Sequence, residues 1–242
     1  MKVCAIIEAR MGSTRLPGKT LMPIVGRPML ARLLDRLRPA RSLHELVVAT
    51  TDRVGDDAIE LLCKRENVCC FRGSELDVLD RVLRAAQSRA ADVIAEITAD
   101  CALLDAATVD PVVERFLRGD CDFAWNNFVK TFPVGFGVRV FTTRALAEIA
   151  QLTRDPDERE HVSLYFWRHP ERFRIASVES GLPPECSGYR LVVDTADDFA
   201  LVSAIFHALL PENPAFGVAD VVRLLESRPE LASQALRTAK AA

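Results

Sequence analysis

The chain has 242 residues, of which 49% are hydrophobic and 27% are charged, and its formal net charge at pH 7 is -3. This length fits one α/β domain with a sizeable insertion better than two independent domains, so we assign residues 1–242 to a single domain. The near-neutral charge excludes a general attraction to nucleic acid or to an anionic membrane, so a bound polyphosphate needs a local cluster of cations.

Strands and helices alternate along the first half of the chain. Short apolar runs bounded by loops predict strands, and apolar residues at helical spacing predict helices between them. The predicted strands are Val3–Ile7, Glu45–Thr50, Val68–Phe71 and Asp92–Ile97. The predicted helices are Pro28–Leu37, Gly55–Glu66, Asp77–Arg89 and Asp105–Leu117, the last with Asp105 as its N-cap. This alternation predicts an α/β fold of three layers, with helices on both faces of a mostly parallel sheet.

The pattern changes after Asp120. Residues 124–180 mix Pro and Gly with aromatic and β-branched residues, and we interpret this stretch as an inserted region. It contains a polar helical segment and a predicted strand, Asp157–His169 and Arg172–Val178. The predicted elements that follow are a core strand and two helices, Arg190–Val193, Thr195–Leu209 and Val218–Leu225. The residues from Ser233 onward are expected to fray.

A loop rich in cations follows the first strand. Arg10, Arg15 and Lys19 share it with glycines and hydroxyl side chains, among them Gly12 and Ser13. Glycines let backbone N–H groups approach phosphate oxygens, and the cations neutralise the charge that builds on a departing pyrophosphate. The Walker A spacing is missed by one residue, and the next helix begins too late for that motif. The loop predicts a triphosphate site, with a solvated basic turn as the alternative.

Two aspartates end apolar runs at predicted strand ends. Asp100 follows the strand Asp92–Ile97, and Asp194 follows Arg190–Val193. Two carboxylates from different strand ends, next to a cationic phosphate loop, are what Mg²⁺ needs when substrate phosphates and water supply its other ligands. The alternative is that each aspartate only caps the helix that follows it.

Targeting and cysteine signals favour the cytoplasm. The apolar run after Met1 is too short for a signal peptide, and no window approaches the ~20 apolar residues that span a bilayer. The seven cysteines form no CxxC pair, so we expect them to be reduced and mostly structural.

Several separate blocks of sequence stand out along the chain. They are ARMGSTRLPGK at 9–19, the Pro-Ile-x-Gly-x-Pro-Met-Leu run at 23–30, FRGSE with DVLDR at 71–81, ITADC at 97–101, EREHV at 158–162 and VDTADDF at 193–199. In their order and spacing these blocks resemble one enzyme family, the cytidylyltransferases of the spore-coat polysaccharide type, which are relatives of CMP-Kdo synthetase and CMP-acylneuraminate synthetase. The resemblance spans most of the chain. It implies a nucleotide-diphospho-sugar transferase-like fold and an enzyme that uses CTP and Mg²⁺ to transfer CMP to a sugar-like acceptor.

The resemblance also implies roles for individual residues. Those implied in catalysis are Arg10, Arg15, Lys19 and Asp100, and those implied in metal binding are Asp100 and Asp194. The implied nucleotide contacts are Ala9, Arg10, Gly12, Ser13, Arg15, Lys19, Asp52, Ser74, Arg81 and Thr98. For Arg81, a surface pair with Asp77 is nearly as well supported. The implied acceptor contacts lie in or next to the insertion, where relatives also form a homodimer: Asn126, Asn127, Lys130, Arg139, Glu160 and His161. His161 has three open roles, as general base, acceptor ligand or structural residue.

Two positions depart from the family pattern. Where the family has Gly-Leu-Asp-Val-Glu-Val-Phe, residues 135–141 read Gly-Phe-Gly-Val-Arg-Val-Phe, so that Gly137 and Arg139 replace two carboxylates. An arginine here would suit a carboxylate, phosphate or phosphonate on the acceptor. Glu8 stands where the family commonly has Gln, and this changes a contact expected for the base.

Three functions are therefore compared. The first is a cytidylyltransferase acting on a sugar acid. The second is the same chemistry on a sugar phosphate, polyol phosphate or phosphonate, which Arg139 favours. The third is a nucleotide-binding protein without catalysis, which the loss of the two acceptor-side carboxylates favours and the presence of Asp100 and Asp194 opposes.

Overall fold

A seven-stranded sheet forms the centre of the molecule. The structure of the chain, a computed structural model, describes residues 1–240. The strands are β1 (Val3–Glu8), β2 (Pro23–Ile24), β3 (Arg27–Pro28), β4 (Glu45–Thr51), β5 (Cys69–Gly73), β6 (Val93–Thr98), β7 (Phe123–Trp125), β8 (Arg139–Thr142) and β9 (Ile175–Ser177). The order in the main sheet is β5-β4-β1-β6-β8-β7-β9, and β2 and β3 form a separate pair. β8 is antiparallel to β6 and β7, and the other neighbours in the main sheet are parallel.

Helices cover both faces of this sheet. They are α1 (Met29–Leu37), α2 (Asp57–Glu66), α3 (Val78–Ser88), α4 (Ala106–Leu117), α5 (Thr143–Leu152), α6 (Pro156–Glu160), α7 (Leu164–Arg168), α8 (Ala196–Leu209), α9 (Val218–Ser227) and α10 (Pro229–Lys240). Alternate residues of β1 enter two different cores. Val3, Ala5 and Ile7 pack on the side of α1, α2, α4, α8 and α9, whereas Cys4 and Ile6 pack on the side of α3, α5 and α7. Burial on both faces explains the continuous apolar run in the sequence, and the predicted three-layer α/β fold is confirmed.

The region 124–180 contributes to this same sheet. β7, β8 and β9 extend it beyond β6, and the long connection from β8 to β9 contains α5, α6 and α7. The segment predicted as the helix Asp157–His169 consists of the two short helices α6 and α7.

Two predictions for the C-terminal part were wrong. Arg190–Val193 is not a strand, because its sheet pairing is a single bridge between Val134 and Arg190. The run is apolar because Leu191 and Val193 are fully buried. Fraying was expected from Ser233 onward, but α10 continues to Lys240; Ala235 is buried there and its carbonyl accepts a hydrogen bond from the Arg190 N–H at 3.1 Å. The last two residues of that prediction lie outside the described residues.

Other sequence features have clear outcomes. All seven cysteines are free thiols, as expected. Among the described residues, no helix is both long and apolar enough to cross a bilayer.

Candidate active site

A cleft of about 270 Å³ opens at the carboxyl ends of β1 and β6, where a parallel sheet presents its ligands. It brings together most of the residues that the sequence suggested. Those lining it are Ala9, Arg10, Ser13, Arg15, Lys19, Arg81, Thr98, Asp100, Glu160, His161 and Asp194. The loop from Ala9 to Lys19, called the phosphate loop after its predicted role, the two aspartates predicted to bind metal and part of the predicted acceptor set therefore share one cavity.

The phosphate loop is held in shape by bonds from outside it. Asp56, which is buried, accepts a hydrogen bond from the Met11 N–H at 2.8 Å, and its other oxygen accepts from Thr51. The Thr20 hydroxyl donates to the Arg10 carbonyl at 2.7 Å. Gly18 turns the chain with φ +76°, a conformation that favours glycine. Sequence analysis missed Asp56, because its contact with Met11 spans 45 residues and leaves no local pattern.

Lys19 lies between the two aspartates. Its Nζ is 3.2 Å from Asp100 Oδ2, 3.0 Å from Asp194 Oδ1 and 2.5 Å from the Val193 carbonyl. Arg15 lies 3.1 Å from the other oxygen of Asp194, and Arg190 also pairs with that oxygen. The two carboxylates thus share one cation, the Lys19 ammonium.

The electrostatics keep Asp194 ionised. Burial by itself would raise the pKa of Asp194, but the hydrogen bond from Lys19 and the charges of Lys19, Arg15 and Arg190 outweigh burial and lower that pKa. A carboxylate that keeps its negative charge at neutral pH can act as a metal ligand.

Neither aspartate caps a helix. The N-cap of α4 is Asp105, whose side chain accepts from the Thr108 N–H at 3.3 Å. The N-cap of α8 is Thr195, which forms a capping box with Asp198. Asp198 also accepts from the Asp194 N–H at 3.0 Å, so it fixes the backbone that carries Asp194. The Thr-x-x-Asp spacing at 195–198 is typical of a capping box, so it marks Asp198 in the sequence.

The residues present fit a divalent cation. Each aspartate offers hard carboxylate oxygens, and the Lys19 ammonium fills the place between them that such a cation would take. Within the described residues no group of three or more His, Cys, Asp or Glu side chains forms a metal site. A cation at this place would therefore depend on substrate oxygens and water for its remaining ligands, which is the usual way in which proteins bind Mg²⁺.

The expected base and ribose contacts lie beside the cleft. Asp52 and Ser74 line a neighbouring pocket of about 550 Å³. Arg81 is 2% exposed and lines the main cleft; its Nη1 donates to the Ser74 carbonyl, and its Nε has no partner among the described residues. The alternative of a solvated Arg81–Asp77 side-chain pair is wrong, because Asp77 caps α3 and pairs with Arg159. Gly12 is not among the residues that line either pocket.

The acceptor set is only partly assembled. Asn126 is fully buried, with its amide donating to the Phe136 carbonyl at 2.7 Å and accepting from the Val138 N–H at 2.8 Å. This side chain holds the backbone and cannot contact an acceptor, which corrects the expectation for Asn126. Asn127, Lys130 and Arg139 also lie outside the cleft lining, and Lys130 is exposed.

Two carboxyl groups lie at or near the cleft: Glu8, which is partly buried and lines it, and Glu96, which is buried. Arg139 Nη1 is 3.3 Å from Glu96 Oε1, a partner that the sequence did not reveal. Burial and the neighbouring charge of Glu96 raise the pKa of Glu8 to about 8. The Glu8 Oε1 atom is buried and has no hydrogen-bond partner in the described part of the chain.

Comparison with known proteins decides the family. Residues 4–204 match the sequence model of the cytidylyltransferases. The chain belongs to the cytidylyltransferase family. Its resemblance to the spore-coat type is confirmed by the spore coat polysaccharide biosynthesis protein SpsF of Bacillus subtilis, which is 31% identical over 234 residues, covering 95% of this chain and 96% of that protein.

Solved structures agree with this assignment. A cytidylyltransferase from Leptospira borgpetersenii superposes with a TM-score of 0.90 at 34% identity and covers 96% of each chain. CMP:2-keto-3-deoxy-manno-octonic acid synthetase, solved with CTP, has a TM-score of 0.64 at 20% identity, covering 86% of this chain and 99% of that one, and it shows the common fold. This cytidylyltransferase therefore has the nucleotide-diphospho-sugar transferase-like fold and is a nucleotidyltransferase enzyme.

Proposed function

We propose that this cytidylyltransferase uses CTP and Mg²⁺ to transfer CMP to a hydroxyl of a sugar-acid-like acceptor and releases pyrophosphate. The observation that carries the proposal is the convergence of Lys19, Asp100 and Asp194 at the end of the phosphate loop. Two carboxylates and several cations in one cleft suit a metal-bound triphosphate, whose negative charge needs both kinds of partner.

In the proposed reaction the acceptor oxygen attacks the α-phosphorus of CTP as the bond to the β-phosphate breaks. The hydroxyl proton passes to solvent or to a basic group in the cleft, and pyrophosphate carries away the displaced oxygen. Arg10, Arg15 and Lys19 would stabilise the charge on the leaving group, since all three line the cleft. Mg²⁺ held by Asp100 and Asp194 would polarise the α-phosphate.

Other described residues would bind the rest of the nucleotide. Ala9, Ser13 and Thr98 line the cleft beside the cations, whereas Asp52 and Ser74 line the adjacent pocket. Arg81 lies at the boundary between these spaces and has an unpaired buried Nε. We assign the triphosphate to the cleft and the base and ribose to the adjacent pocket.

Glu160 and His161 form the acceptor side of the cleft. Both line it, and α6 presents them at its carboxyl end. The Arg159 side chain pairs with Asp77 and donates to the Ala150 carbonyl at 3.0 Å, which fixes the segment that carries them. We assign Glu160 and His161 to acceptor binding.

The proposal is tested by nucleotide binding and by pyrophosphate release. In Mg²⁺, isothermal titration should show CTP binding more tightly than ATP, GTP or UTP, and release should require both an acceptor and the metal. Lys19→Ala should lower turnover by ~10²-fold, as expected for removing a group aimed at developing charge. Lys64→Ala is the control, because Lys64 is an exposed lysine on α2 whose partner is Glu60. Equal binding of the four nucleotides, or unchanged turnover in Lys19→Ala, would contradict the proposal.

A further inference from the structure

Three side chains form a row across the sheet beside the cleft. Glu96 on β6 is in register with Arg139 on β8, and Arg139 is in register with Trp125 on β7. Directly paired residues share a face of the sheet, so the three side chains are neighbours. Two residues along each strand, Ile94, Phe141 and Phe123 form the next row on this face, and they belong to the apolar core under α3 and α5. The row Glu96–Arg139–Trp125 is polar. It lies between that core and the end of the sheet at which β6 and β7 finish and β8 begins.

This row contains polar atoms without partners. Glu96 Oε2, Arg139 Nε and Trp125 Nε1 are buried and have no hydrogen bond within residues 1–240, and neither has Oε1 of Glu8, which lines the cleft. Buried polar atoms in native proteins are nearly always hydrogen-bonded, and leaving one unpaired is unfavourable. Two carboxyl oxygens and two N–H groups therefore lack partners at this end of the sheet, which suits a ligand that can both donate and accept.

Gly137 leaves space next to the indole. It lies two residues before Arg139 in the chain, and a Cβ at Gly137 would be 3.8 Å from Trp125 Nε1. A larger polar side chain at this position would reach the indole N–H and take its hydrogen bond. Gly137 and Arg139 are the two positions at which the chain departs from the usual carboxylates of its family, and both border this row.

Aromatic rings continue from the row to the surface. The Trp125 ring lies 6.3 Å from that of Trp167 and 6.4 Å from that of Phe128, measured between centroids. Trp167 and Phe128 are 42% and 45% exposed. Rings of this kind provide apolar surface for the C–H groups of a carbohydrate, whereas the row provides its hydrogen bonds.

The charge of Arg139 is already matched. Its Nη1 is 3.3 Å from Glu96 Oε1, and its guanidinium carbon lies 5.1 Å from the centre of the Trp125 ring. Burial raises the pKa of Glu96, and the adjacent charge of Arg139 opposes that rise. An added anion at this place would meet the carboxyl group of Glu96 as well as the guanidinium, so Arg139 does not form a dedicated anion site.

From these observations we propose that Glu96, Trp125, Gly137 and Arg139 form a specificity subsite for the neutral, polyhydroxylated end of the acceptor. This inference rests on the proposed cytidylyltransfer. Hydroxyl groups both donate and accept, which matches the mixed set of unpaired atoms, and a phosphate at that end would be disfavoured. The subsite therefore separates an unphosphorylated acceptor from its phosphorylated counterpart.

The test uses two compounds that differ only in charge. We would measure kcat/KM, in Mg²⁺ and saturating CTP, for 2-keto-3-deoxy-manno-octonate and for the same compound phosphorylated on its terminal carbon. The wild-type enzyme should prefer the unphosphorylated compound by ~10-fold or more, and binding to the CTP-loaded protein, measured by calorimetry, should follow the same order.

Two variants test the subsite directly. Glu96→Gln leaves the charge of Arg139 unmatched, so the preference should shift toward the phosphorylated compound by ~10-fold or more. Gly137→Asn places an amide beside the indole N–H, so KM for the unphosphorylated compound should rise by ~10-fold while CTP binding stays unchanged. Asp122→Asn is the control, because Asp122 forms an ion pair with Arg174 that does not border the cleft or the row. It should leave the preference as it is in the wild type.

The outcomes separate the two proposals. If CTP does not bind in Mg²⁺, the proposed function fails. If CTP binds, the inference is overturned by a wild-type preference for the phosphorylated compound, by failure of both compounds to bind, or by an unchanged preference in Glu96→Gln together with an unchanged KM in Gly137→Asn. Thermal midpoints near that of the wild type confirm that the variants are folded. If Glu96→Gln does not fold, Gly137→Asn decides alone.

Discussion

At the scale of single residues, the two aspartates in the cleft separate an enzyme from a protein that only binds nucleotide. Asp100 and Asp194 both contact Lys19, and the adjacent helices are capped by Asp105 and Thr195 instead. If a hard divalent cation takes the place of the ammonium, both carboxylate charges are required. A purely structural role would need only their shape.

We predict that Asp100→Asn and Asp194→Asn each lower pyrophosphate release by ~10²-fold or more at saturating CTP, because each removes the charge of a proposed metal ligand. Asp194→Asn should also lose some thermal stability, since Asp194 pairs with Lys19, Arg15 and Arg190. Release and thermal midpoint are measured in the same samples across a range of Mg²⁺ concentrations.

The matched control for these variants is Asp105→Asn. Asp105 caps α4, and Asn is nearly as good a cap as Asp, so this variant should keep both activity and stability. A folded Asp100→Asn variant with parental activity and an unchanged Mg²⁺ dependence would show that Asp100 is not a metal ligand.

The buried carboxyl of Glu8 makes stability depend on pH. Its pKa is raised to about 8, so between pH ~4.5 and ~8 the folded state keeps a proton that the unfolded state releases. Stability from this group is therefore full at low pH and is lost as the pH rises toward 8. Glu8→Gln does not titrate, so it should be more stable than the wild type by on the order of 4 kcal/mol at pH 8 and by less than about 1 kcal/mol at pH 5. Urea unfolding at both pH values measures the difference.

Glu45→Gln is the control of opposite sign. Burial alone would raise the pKa of Glu45, but hydrogen bonds from Lys2 and Arg89 lower it, so its ionised form stabilises the fold above its unfolded pKa. The Gln variant should be less stable than the wild type at pH 8. Equal stability of Glu8→Gln and the wild type at pH 8 would mean that Glu8 is ionised there without penalty.

At the scale of elements, the sequence predicted where strands end better than it predicted what supports their ends. The strands that became β1, β4, β5 and β6 were placed within two residues at each end, because their apolar runs stop where the polar loops begin. The residues that hold those loops come from distant positions. Asp56 reaches Met11 across 45 residues, and no periodicity in the sequence marks such a contact.

We predict that Asp56→Ala loosens the phosphate loop. It removes the acceptor of the Met11 N–H and leaves that group and the Thr51 hydroxyl without their partner, which costs ~1–3 kcal/mol for a buried group. KM for CTP should rise by ~10-fold or more, with a lower thermal midpoint, while the steady-state rate at saturating CTP falls less.

Asp120→Ala is the control for that variant. Asp120 is more than half exposed and pairs with Arg115 at the surface, away from both pockets, so its loss should cost less than ~1 kcal/mol and leave KM for CTP unchanged. If Asp56→Ala and Asp120→Ala raise KM equally, the loop does not depend on Asp56.

At the scale of the whole molecule, the site depends on contacts between the region 124–180 and the segment that carries Asp194. The Val134 N–H donates to the Tyr189 carbonyl at 2.9 Å, and the Leu191 N–H donates to the Val134 carbonyl at 2.7 Å. Val193 is tied in turn to the Asp100 carbonyl by a bond of 3.0 Å from its N–H. The sequence predicted a strand at Arg190–Val193 from its apolar residues, but it contained no signal for these partners, because pairing between distant segments is decided by the tertiary fold.

Gly135 is the residue that allows the close contact between the region 124–180 and Leu191. Its φ is +112°, and a Cβ there would lie 2.7 Å from the carbonyl carbon and oxygen of Leu191, which are backbone atoms that cannot turn away. Gly135→Ala should therefore push the two segments apart, with a loss of ~2–4 kcal/mol, or roughly 4–16 °C in Tm for a chain of this size, and a displaced Asp194 should lower pyrophosphate release as well.

Gly119→Ala is the matched control: its φ is +81°, and a Cβ there would meet nothing within 4 Å. It carries only the backbone strain, on the order of 1 kcal/mol, and should keep full activity. Thermal unfolding and release assays on both variants give the comparison, and equal losses of stability with unchanged release would show that the contact between Gly135 and Leu191 does not support the site.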